Sequence, residues 1–284
     1  MKTIAILTDF SERSAHAAKY ALHIAKKMKV DVRFYQLQLT PATLQKQPVL
    51  NGDDYTEELI TDNRLAAFSE ILEADLLKRG FPGSFIPQIS THAGSADMVD
   101  VMTEIINDTD IAMIVMAPLE TDDLASFMLS DACSRIIDWT TVPVMVVPPG
   151  TPIRNIEKMA FATTLDADNM LSIAELGNLM DGFHAELMVA HLNNNPDDGG
   201  IKAAENELNH KLYRELSCGG VYFRSVPDTK LQKDWEWLKA NKRTDLLAIA
   251  KRHKEQMASF FKRGQSIHIT HHITIPVMVL HKRP

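Results

Sequence analysis

Short apolar runs alternate along the chain with longer stretches whose apolar residues recur every three or four positions. The first run, Thr3 to Thr8, stops at Asp9-Phe10-Ser11. Ser11 is a helix N-cap residue, because its hydroxyl can accept a backbone N–H of the first turn. Ala15, Ala18, Leu22 and Ala25 follow at helical spacing, and Val30 to Leu39 reads as a second strand. A helix is predicted from about Tyr55 to Lys78, with Leu65, Phe68, Leu72 and Leu76 on one stripe, ended by Gly80 and Pro82. A strand over Phe85–His92 comes next, then a helix opening at Gly94-Ser95 with Val99, Met102 and Ile106 inward. Ile111–Ala117 is a strand, one helix runs to about Asp138, and Val142–Val147 is the last strand before Pro148-Pro149-Gly150-Thr151-Pro152, a linker.

The pattern then restarts. Strands are predicted at Lys158–Thr163, Ala185–Leu192, Val221–Val226, Asp245–Ala250 and Ile275–Leu280. Helices are predicted after Asp166 or Asp168, over Ile201–Leu216 and Asp228–Asn241, and on to about His272. Alternating strands and helices argue for parallel sheets covered by helices, and Ile111-Ala112-Met113-Ile114-Val115-Met116 suits a strand buried on both faces. The expected fold is α/β: two tandem domains, residues 1–150 and 151–284, each a five-stranded mostly parallel sheet with helices on both faces. The closing runs, Val142-Pro143-Val144-Met145-Val146-Val147 and Ile275-Pro276-Val277-Met278-Val279-Leu280, correspond at one constant offset, which Ala112–Ala117 and Asp245–Ala250 share. Thr8 and Thr163 correspond at a larger offset, so the second half has been shortened between its first and fourth strands.

Composition narrows the function. Hydrophobic residues make up 45% and charged residues 24% of the 284, as in ordinary globular proteins. A net charge of −7 argues against nucleic acid as a partner. Two cysteines, Cys133 and Cys218, form no CxxC pair and suit a reducing compartment. No apolar run approaches the roughly 20 residues of a membrane span, and the first run is too short for a secretory signal, so no membrane partner and a cytoplasmic location are expected.

The opening Ile6-Leu7-Thr8-Asp9-Phe10-Ser11 and the closing Val-Pro-Val-Met-Val-Val resemble the universal stress protein family in tandem form. The resemblance implies a five-stranded parallel sheet and dimerisation through the last strands; some members bind ATP. The family's nucleotide loop reads Gly-x-x-Gly, nine residues, then Gly-Ser or Gly-Thr, which lets backbone N–H groups reach phosphate at a helix N-terminus. Here Ala117, Glu120 and Ser130 stand at the three glycine positions and Asp131 follows, with Asp122 and Asp123 adding negative charge. The second half has Ala250 and His253, then Arg263 and Gly264. Its loop is basic: Lys251, Arg252, His253, Lys254, Lys262 and Arg263 offer an anion site built of side chains. The family's adenine-contacting aspartate matches Asp9, while Thr164 holds that place in the second half.

The expected function is therefore a stress-response or regulatory module, not an enzyme, without ATP and with no cofactor. The alternative is a nucleotide- or anion-binding switch that uses Asp9 or the basic loop. The partner classes are an unidentified protein and an anionic small molecule. Pairing of the two closing strands within one chain would copy the family dimer, and a homodimer stays open. His268, His271 and His272 share a helix face but are explained without a metal by the carbonyl dipoles near a helix end. Asp166-Ala167-Asp168-Asn169 lacks the glycine and glutamate of a calcium loop and reads as capping. Cys133 reads as a core residue, and Trp235 and Trp237 as core or interface.

Overall fold

A computed structural model describes the backbone of residues 2–38, 54–78, 85–92, 94–119, 121–163, 165, 169–179, 181–193, 197–215, 220–227, 244–251 and 274–281. The chain divides into two compact units, Met1–Ile153 and Arg154–Pro284.

In the first unit, β1 (Thr3–Thr8) is followed by α1 (Glu12–Met28), β2 (Asp31–Gln36), α2 (Asp54–Lys78), β3 (Ile89–Thr91), α3 (Met98–Asn107), β4 (Ile111–Met116), α4 (Leu124–Met128), α5 (Asp131–Trp139) and β5 (Val144–Val146). The strands lie in the order β3-β2-β1-β4-β5, all parallel. β1 is buried along its whole length, which its unbroken apolar sequence requires. Ser11 caps α1 as its residue type demands, accepting from the Ser14 N–H at 3.2 Å. Lys29 ends the helix in the left-handed region, with φ 56°.

Two expectations for this unit are corrected. The inner stripe of α3 is Met98, Val101, Met102 and Ile105, all buried, while Val99 and Ile106 face outward. Both stripes are apolar at helical spacing and share Met102; Asp97 caps the helix, accepting the Val99 N–H at 2.8 Å. The single helix expected up to Asp138 is two, because Ser130 accepts the Cys133 N–H at 3.1 Å and starts a new helix. Cys133 lies in the core, and burial drives its thiol pKa well above the ordinary value.

In the second unit, β6 (Lys158–Thr163) is followed by α6 (Asn169–Leu179), β7 (Glu186–Asn193), α7 (Gly199–Glu215), β8 (Val221–Pro227), β9 (Leu246–Ala250) and β10 (Val277–Leu280). The order is β8-β7-β6-β9-β10, again all parallel. The helices predicted over Asp228–Asn241 and up to His272 lie outside the described residues, as do His268, His271, His272, Cys218, Asp166, Asp168, Trp235 and Trp237. Asp245 anchors the start of this unit: its carboxylate accepts from Arg154 Nε at 3.0 Å and from the backbone N–H groups of Glu157 and Lys158 at 2.9 and 3.1 Å.

The repeat extends into the backbone. Thr3 pairs with Asp31 in the first unit and Lys158 with Glu186 in the second, so the first and second strands keep a single offset between the halves. The same offset carries the left-handed Phe10 (φ 62°) onto Leu165 (φ 67°) and Lys29 onto His184 (φ 50°). It also carries a hydrogen-bond motif. Phe10 N–H donates to Thr8 Oγ1 and Leu165 N–H to Thr163 Oγ1, each at 3.0 Å. Thr8 Oγ1 meets Ser14 Oγ at 3.0 Å, and Thr163 Oγ1 meets Asn169 Nδ2 at 2.8 Å. At the third strand the offset drops sharply, since Val32 pairs with Ile89 while its counterpart Leu187 pairs with Val221. At the fourth strand, where Ile4 pairs with Met113 and Met159 with Leu246, the offset is nearly the same as at the third. The length difference between the halves therefore lies essentially between the second and third strands.

Candidate functional site

The carboxyl ends of β1 and β2 and the segment after β4 open into a cleft of about 250 Å³. It is lined by Asp9, Phe10, Gln36, Leu37, Gln38, Arg64 and Leu119. In open parallel sheets this is the end where ligands bind, near the strand at which the order reverses. Here β1 is that strand, with β2 on one side and β4 on the other.

Each wall follows from local sequence. Asp9 leaves β1 directly and is fixed by the turn into α1: its Oδ1 accepts the Ser11 N–H at 3.0 Å and the Ser11 hydroxyl at 2.5 Å. Burial pushes its pKa up, but the hydrogen bonds from Ser11 and Ser14 outweigh burial and leave it below the ordinary value. Asp9 is therefore an anion at neutral pH. Phe10, in the left-handed region, packs edge-on against Phe68 with ring centroids 5.6 Å apart, and Phe68 packs likewise against Phe34 at 5.7 Å. The Arg64 guanidinium lies over the Phe10 ring, 4.5 Å from its centroid. Gln36 pairs in register with Thr8, the neighbour of Asp9. Its Oε1 is buried with no hydrogen-bond partner among the described residues.

The loop after β4 is tied inward. Asp122 bonds Arg13 of α1 at 3.1 Å. Asp123 caps α4 through the Ser126 N–H at 3.0 Å. Ser130 holds the first turn of α5, and Ala117 is buried. Glu120 lies outside the described residues.

Of the residues singled out from the sequence, Asp9 stands in the cleft. Lys251 follows β9 in the other unit, half-buried, with its backbone N–H donating to the Leu280 carbonyl at 2.6 Å. Arg252, His253, Lys254, Lys262 and Arg263 lie outside the described residues. The sequence reading missed Phe10, Gln36 and Arg64. Arg64 and Phe10 are far apart along the chain and meet only through the packing of α2, so no local motif announces them. Gln36 had a signal: its counterpart in the repeat is His191, also polar at the end of a buried strand.

His191 sits in a polar cluster of its own. Its Nδ1 lies 2.7 Å from Glu205 Oε1 of α7, and Ser225 of β8 donates to the same oxygen at 2.6 Å. His191 and the Glu205 side chain are almost fully buried.

The model of the universal stress protein family matches residues 1–148, just over half of the chain, and the chain belongs to that family. A search of curated protein sequences gave no match. Among solved structures, a universal stress protein from Archaeoglobus fulgidus is similar over 99% of this chain and 96% of its own, with a TM-score of 0.65 and 14% identity. A functionally unknown protein from Pseudomonas aeruginosa matches 99% of this chain and 93% of its own at a TM-score of 0.55 and 12% identity. The cytoplasmic domain of a prokaryotic cation chloride cotransporter matches 98% and 94% at a TM-score of 0.50 and 9% identity. At these identities the likeness is one of fold. No helix among the described residues is long and apolar enough to cross a membrane.

Proposed function

We propose that the chain is a regulatory module of its family that works by binding rather than by catalysis, and that its first half does not hold ATP. The observation that carries this reading is Ser130. Its hydroxyl caps the first turn of α5, where the family's glycine would leave backbone N–H groups open to phosphate. Asp131 places further negative charge in that turn, and like charges at contact distance cost about 1 kcal/mol each even when well screened. Isothermal calorimetry with Mg-ATP should give no saturable heat at micromolar concentrations. A dissociation constant in the low micromolar range would overturn the reading. Gain of binding in the variant Ala117→Gly, Glu120→Gly, Ser130→Gly, Asp131→Ser would support the stated cause.

The anion site of the second half, at Lys251, Arg252, His253, Lys254 and Arg263, belongs to the same proposal, as does intramolecular pairing of the closing strands. Phosphate or polyanion binding there should weaken with added salt, and charge reversal at Lys251 and Arg252 should abolish it.

A further inference from the structure

The cleft beside Asp9 combines an anion, a cation and apolar walls. Two acceptor-bearing residues line it, Asp9 and Gln36; Gln36 is in register with Thr8, the neighbour of Asp9, and its Oε1 is buried without a hydrogen-bond partner among the described residues. The cleft also holds a cation, Arg64, oriented by the Phe10 ring beneath it. The walls formed by Phe10, Leu37 and Leu119 are apolar. One anion and one cation among the lining residues make the cleft neutral.

A buried amide oxygen without a donor costs about 1–3 kcal/mol, a penalty that a ligand's N–H group would remove. Two acceptor-bearing residues in one cleft call for a ligand group with several N–H donors. The guanidinium calls for a carboxylate, which it can grip with two parallel hydrogen bonds. The apolar walls call for a hydrocarbon or aromatic body. The volume of about 250 Å³ suits a small molecule. From this complementarity we infer that the cleft binds a free α-amino acid with an apolar side chain, its ammonium on Asp9 and Gln36 and its carboxylate on Arg64. The inference rests on the proposed function and deepens it by naming the class of small molecule that would be sensed.

The test uses the full chain and calorimetric or ligand-observed NMR titration with L-leucine and L-phenylalanine. Isoamylamine and 4-methylpentanoate serve as the leucine analogues lacking the carboxylate and the ammonium. At least one amino acid should bind saturably, and loss of either charged group should weaken binding tenfold or more. Gln36→Leu and Arg64→Leu should each weaken it tenfold or more, with folding checked by the far-ultraviolet circular dichroism and melting temperature of each variant. Absence of saturable binding of either amino acid at millimolar concentrations would overturn the inference. So would equal binding of leucine and its two analogues in the unmutated protein, a comparison that needs no variant to fold. Mg-ATP titrated in parallel separates the two claims: ATP binding that excludes leucine sinks the proposed function, whereas silence to both sinks this inference alone.

Discussion

Gln36 and His191 occupy the same place in the two units, at the carboxyl end of the second strand, and they have met opposite fates. Gln36 lines the cleft and keeps a buried oxygen with no partner among the described residues. His191 is engaged by Glu205, which also takes the Ser225 hydroxyl. The backbone frames around them match, with the same register, the same left-handed turn residue and the same threonine motif. The contrast teaches that the frame belongs to the fold and the polar chemistry at the strand end to each unit. An unsatisfied group is what a binding site looks like before its ligand arrives; a satisfied one stabilises the fold.

The largest expected effect tests that contrast directly. His191→Leu strands Glu205 with one donor fewer in a nearly buried setting and should destabilise the second unit by about 2–3 kcal/mol. Gln36→Leu removes an unpaired group and should leave the first unit within about 0.5 kcal/mol of the parent, or stabilise it. Native-state hydrogen exchange, read by mass spectrometry on peptides of each unit, measures both. Equal losses in the two variants would erase the distinction.

A smaller effect should be shared by the halves. Thr8→Val and Thr163→Val each leave a backbone N–H, of Phe10 or Leu165, without its acceptor. Each should cost about 1–2 kcal/mol in its own unit. A cost confined to one unit would show that the shared motif supports only one of the two frames.

The smallest effect is the pH dependence that Asp9 gives the first unit. Asp9 has a folded-state pKa below its ordinary value, so as pH falls the unfolded chain takes up its proton first. Its contribution is present above the ordinary carboxylate range and is lost as pH falls through the folded pKa, in the region below about pH 4. Asp9→Asn should flatten the acid limb of the first unit's exchange profile and leave the second unit's profile unchanged. An unaltered limb would show that the bonds to Ser11 do not hold the carboxylate in its charged form.

Much of the architecture was legible in the sequence because parallel strands buried on both faces must be apolar throughout. β1, β4 and the two closing strands announce themselves that way. The α2 stripe was legible too: Leu65 and Leu72 are buried on it. Where two stripes of a helix are both apolar, as on α3, hydropathy cannot choose between them; packing against the sheet does. The break at Ser130 escaped for a related reason, since a serine within an amphipathic run reads as a surface position until its hydroxyl is seen to cap. Asp9 was legible by its place after the first strand. Arg64 and Phe10 were not, because their contact is made by tertiary packing of residues far apart in sequence. Gln36 was legible only through the repeat, by reading it beside His191.

The unequal spacing of the repeat has a practical meaning. The first strand, its helix and the second strand keep one offset in both halves, and the change in length falls on the connection to the third strand. The connection to the outer strand has served with two very different lengths on one frame. Outside α2 and α7, which carry Arg64 and Glu205, that connection is therefore the place to graft a fluorescent reporter or an affinity peptide without disturbing either sheet.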